Sequence, residues 1–64
     1  MDVYKVGEII TAQIPYSDNL TITGEIKRIR TKNEETEYDI ESESSKFLYT
    51  VNYKNIIKKG RIEK

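Results

Sequence analysis

The sequence predicts an all-β fold, a single small barrel of five short strands, and three observations carry that expectation. First, β-branched residues dominate: ten isoleucines, three valines and six threonines, nineteen of 64 residues, stand against two leucines and one alanine. Branching at Cβ restricts χ1 against a helical turn and suits a pleated surface. Second, apolar residues recur at every second position through most of the chain, and no amphipathic segment at helical spacing reaches ten residues. Third, 34% of residues are charged and the mean hydropathy is −0.71, so the core must be thin. A closed or nearly closed barrel encloses one core with few apolar side chains and leaves no long open edge. Leu, Ile, Val and Phe still number sixteen, a quarter of the chain, above the ~20% level below which disorder is the better expectation.

The elements follow in order. Residues 1–5 read as a polar lead-in, and Val6-Gly7-Glu8 as a turn into the first strand. Residues 8–14 alternate, with Ile10, Ala12 and Ile14 on one face and Ile9, Thr11 and Gln13 on the other. Pro15 has no N–H to donate, so it ends the strand and opens a loop through Tyr16, Ser17, Asp18 and Asn19. Residues 20–31 form a longer second strand with Ile22, Gly24 and Ile26 inward. Ile29 then arrives three positions after Ile26 rather than two, which calls for a bulge or bend near Lys27 and Arg28. Lys32-Asn33-Glu34-Glu35 is the next turn, with Asn33 suited to positive φ. Residues 36–42 place Tyr38 and Ile40 inward and Glu37, Asp39 and Glu41 outward. A polar turn at Glu43-Ser44-Ser45 leads to a fourth strand over 46–53, with Phe47, Tyr49, Val51 and Tyr53 on one face. One helical or 3₁₀ turn at 53–56 precedes a last strand over 57–62, bent at Gly60. Residues 1–64 thus make a single domain, with no repeat and no linker.

Composition excludes several function classes. There is no cysteine, hence no disulfide framework or thiolate metal site, and no histidine, the commonest general base. The serines at 17, 42, 44 and 45 lie in or beside turns with no neighbour placed to activate them, and a barrel this small has little room for a water-excluding pocket. The expectation is a non-enzymatic chain with no cofactor and no metal. The longest apolar runs are two residues, which excludes a transmembrane helix or signal peptide, and the absence of cysteine is compatible with a cytoplasmic location. Usage rich in Ile, Lys and Asn points to an AT-rich bacterial, plasmid or phage genome.

Three stretches carry a resemblance: Val6-Gly7-Glu8-x-Ile10, then Thr23-Gly24-Glu25-Ile26-x-x-Ile29, then Tyr49-x-Val51-x-Tyr53-x-x-Ile56. Together with five short strands, a long first loop and a one-turn helix before the last strand, they make the chain resemble the SH3-like barrel superfold and its KOW and Tudor-type relatives. The middle stretch is similar to the core of a KOW segment, in which the glycine lets strands cross closely. The signalling SH3 type is disfavoured, because its groove uses a tryptophan that this chain lacks. A resemblance at this level implies a fold and carries no activity. It does imply that the first loop and the one-turn helix flank a ligand groove, which singles out Tyr16 and Tyr53.

Two further surfaces compete. Six carboxylates fall within residues 34–43, and alternation sets Glu37, Asp39, Glu41 and Glu43 on one face at ~6.5–7 Å intervals. Such a row serves as a solvated face that resists edge pairing, or as a docking strip for a basic protein partner. Net charge is zero but segregated, with residues 25–32 summing to +3, residues 33–45 to −6 and residues 46–64 to +5. Lys27, Arg28, Arg30 and Lys32 form one basic cluster; Lys58, Lys59 and Arg61 form another. Brought together, they would offer a nucleic-acid-binding patch; interleaved with acids, they would keep an ordinary surface soluble. The leading expectation is a protein-interaction module, accessory or inhibitory, that uses Glu37, Asp39, Glu41, Tyr16 and Tyr53. The alternatives are a KOW- or Tudor-like nucleic-acid binder and a structural subunit of an assembly.

Overall fold

The computed structural model describes residues 4–15, 17 and 20–61. Five antiparallel strands make one sheet: β1 (Ile9–Gln13), β2 (Thr21–Lys32), β3 (Glu35–Ser42), β4 (Leu48–Asn52) and β5 (Ile56–Lys59). A 3₁₀ turn, Tyr53–Asn55, joins the last two, and the described residues contain no α-helix. The spatial order is β4-β3-β2-β1-β5, so β4 and β5 are the two edges. No pairing joins those edges among the described residues, and the sheet is not closed by hydrogen bonds. Among the described residues no helix is long and apolar enough to cross a membrane.

The alternation expected from the sequence sets the core. Ile10, Ala12, Ile26, Tyr38, Ile40 and Val51 are buried together, with Ile22, Ile29 and Ile56 packed against them. All five strands therefore feed one cluster, including Val51 from one edge and Ile56 from the other. The early residues depart from a polar lead-in. Tyr4 is only 8% exposed and belongs to that cluster. Its ring meets Tyr38 edge-on, with centroids 5.8 Å apart and planes at 88°. A chain entry has no periodicity to announce burial, and only the fold brings Tyr38 beneath it.

Two backbone devices shape β2. The register against β3 runs Ile26↔Ile40 and then Arg28↔Asp39, so Lys27 is the extra residue of a bulge, where the three-residue gap between Ile26 and Ile29 places it. Gly24 sits where a Cβ would overlap the backbone carbonyl of Glu41 and crowd Ile40, so close strand approach requires glycine there. The β2–β3 hairpin turns through Asn33 and Glu34, both at positive φ (52° and 67°), the primed-turn geometry that matches strand twist. Asn33 fits that conformation; Glu34 adopts it against its preference.

Candidate binding surface

The register puts the charges of β2 and β3 opposite one another. On the outer face Arg28 lies across from Asp39, Arg30 from Glu37 and Lys32 from Glu35. The Arg30 guanidinium reaches Asp39 Oδ1 at 2.8 Å and Glu37 Oε1 at 3.8 Å. Asp39 Oδ1 also accepts a bond from Thr50 Oγ1 on β4 at 2.8 Å. One like-charged couple stands in the same row, Glu25 opposite Glu41. The bulged Lys27 bridges it, with Nζ at 3.5 Å from Glu25 and 3.4 Å from Glu41. The Glu25 charge, and then the hydrogen bond to Glu41, raise the Lys27 pKa above the usual lysine range. The bulge thus re-aims β2 and also supplies the cation that separates two carboxylates. Glu43 lies beyond the strand and is held by the Arg61 guanidinium, with Nε 3.0 Å from Oε1, which raises the Arg61 pKa.

The acidic row therefore sits on an interior strand, neutralised from β2. Glu37, Asp39 and Glu41 share one face as alternation requires, but each has a cation at hand. The basic residues are dispersed by the same geometry. Lys58 is opposite Thr11 and Lys59 opposite Ile10, so the two lysines point to different faces of the sheet. Lys59 Nζ lies 3.5 Å from Glu8 and 5.7 Å from the centre of the Tyr4 ring. Among the described residues Arg28, Lys32 and Lys58 make no ion pair, whereas Lys27, Arg30, Lys59 and Arg61 do.

Tyr53 opens the 3₁₀ turn, 38% exposed, its ring tilted 50° against Tyr4 at 5.7 Å. Tyr4, Tyr38 and Tyr53 thereby form one aromatic file from core to surface. Tyr16 lies outside the described residues. Among the described residues no three carboxylates converge to hold a metal ion.

No protein-family model, curated protein or solved structure matches this chain. Its surface must speak for itself.

Sequence reading singled out charges and missed the neighbouring apolar pair. Phe47 and Leu48 are 68% and 65% exposed at the entry to β4, and Leu48 stands directly opposite Glu41. Alternation placed Leu48 on the outward face, yet an outward Leu is ordinary by itself. Only its adjacency to an exposed Phe on an edge strand makes it notable.

Proposed function

We propose that this chain is a non-enzymatic protein-interaction module built on an SH3-like barrel. Support for the barrel is that Val51 and Ile56, one from each edge strand, pack in the same cluster, while Lys27 and Gly24 supply the bend and the close crossing. The contact surface comprises the outer face with Glu37, Asp39, Glu41 and the exposed Leu48, with Phe47 and Tyr53 exposed at the two ends of β4. The observation that carries the reading is the exposed Leu48 directly opposite Glu41, an apolar side chain beside a row of paired charges, the mixture of apolar and polar groups found at protein interfaces. A nucleic-acid reading is less well supported. Four of its seven cations already hold carboxylates of this chain, and phosphates would have to displace them.

The test combines affinity capture from the native host with a nucleic-acid titration. Capture with natural protein and with Leu48→Asp and Glu41→Lys variants should yield a protein that the folded variants lose. Low-salt gel shifts with RNA and DNA should show no complex. A salt-sensitive shift, or identical capture by natural and variant chains, overturns the proposal.

A further inference from the structure

The two edges of the sheet are defended differently. β5 is four residues long, and two of them are lysines, the usual guard against strand addition. β4 has none: residues 47–53 (Phe-Leu-Tyr-Thr-Val-Asn-Tyr) contain no charge and no proline. Its backbone direction follows from two bonds. The Ser42 N–H donates to the Phe47 carbonyl, so Phe47 faces β3, and in an antiparallel ladder Tyr49 and Val51 must do the same. Leu48, Thr50 and Asn52 then face outward, and the Asn52 N–H is taken by Asn55 Oδ1 at 3.1 Å. The N–H and C=O groups of Leu48 and Thr50 are left at an open edge among the described residues.

Charge selects the occupant. Lys46 and Lys54 stand at the two ends of this segment, exposed and without an ion pair among the described residues. Two copies could pair through their β4 strands only antiparallel, by two-fold symmetry, and the other edge, β5, carries two lysines of its own. Full overlap about Thr50 would set Lys46 of each copy against Lys54 of the other, at both ends. Like charges disfavour that pairing, whereas acids at the ends of a foreign strand would meet both lysines.

We propose that β4 accepts an extended segment of a partner protein as a sixth strand. That segment is uncharged and β-branched at its centre and acidic at both ends, with Leu48 and Thr50 supplying backbone bonds and Lys46 and Lys54 fixing its position. This rests on the protein-interaction reading and deepens it.

The probe is a synthetic peptide of alternating valine and threonine with glutamates at both ends, titrated into labelled protein and followed by amide NMR. Leu48 and Thr50 amides should shift most, and a twin peptide ending in lysines should bind several-fold more weakly at low salt. Thr50→Pro removes the outward N–H together with the hydroxyl that bonds Asp39 and should abolish binding, whereas Thr50→Val removes the hydroxyl alone and should keep it. Lys46→Glu with Lys54→Glu keeps every strand residue and should reverse the preference between peptides. Equal affinity for both peptides, shifts centred on Glu37 and Asp39, or binding unchanged in Thr50→Pro overturns strand addition. If host-protein capture is still lost in Leu48→Asp, the interaction reading survives that failure. Concentration-dependent shifts of Leu48 and Thr50 without peptide would also overturn it, in favour of a second copy.

Discussion

Thr11 shows how a single hydroxyl can outrank strand alternation. Its side chain is on the face of β1 away from the core, yet it is fully buried, because the chain returns past it after β5. Its Oγ1 donates to the Gly60 carbonyl at 2.8 Å and lies 2.8 Å from Thr23 Oγ1. Thr11→Val keeps the shape and strands both partners, so a loss of about 1–3 kcal/mol is expected in urea unfolding. Gly24→Ala should cost more, about 3 kcal/mol, because the obstacle is the Glu41 backbone and cannot swing aside. In a domain of this size that loss leaves little folded protein, and circular dichroism at room temperature would show it. Tyr38 gives a pH prediction. Burial first, and the neighbouring Tyr53 second, raise its pKa, so the fold favours the neutral phenol. That contribution is complete below the ordinary tyrosine pKa and is lost as pH rises through the folded value. Stability should therefore fall in the alkaline range above pH ~10, and Tyr38→Phe should flatten that fall.

At the scale of elements, the β2–β3 hairpin invites improvement. Glu34 holds a left-handed conformation that glycine adopts freely, so Glu34→Gly should stabilise the domain by about 0.5–1 kcal/mol, read as a higher denaturation midpoint. Most strands were legible in the sequence because their signals are local. Pro15 closes β1, the spacing of Ile26 and Ile29 marks the bulge, and Tyr38 and Ile40 declare their face. What was not legible depends on distant partners. Nothing near Tyr4 says that Tyr38 and Tyr53 will enclose it. Thr11 is covered by a segment nearly fifty residues later. The acidic row reads as an unopposed strip until the register sets Arg28, Arg30 and Lys32 against it, and that register depends on one inserted residue.

For the whole molecule, net charge is zero, and much of the acidic run at residues 33–45 is offset across a hairpin by the basic run at residues 25–32. Such a surface has little reach, and contact must be made at short range by shape, apolar groups and free backbone. It also leaves the undefended edge as the chief route to aggregation. Lys46→Ser with Lys54→Ser removes the repulsion that opposes self-pairing of β4 and should move the sedimentation profile towards dimers and larger species relative to the natural chain.

The inserted lysine in β2 has one more consequence. Without Lys27 the sequence would read inward at Ile26, outward at Arg28, inward at Ile29 and outward at Arg30, an unbroken alternation. Shortening the protein at that position alone would therefore leave every neighbouring side chain facing as before, unlike a deletion in regular strand. The ribbon would lose its kink and the halves on either side would splay. In this protein, curvature is encoded separately from the choice of what is wet and what is dry.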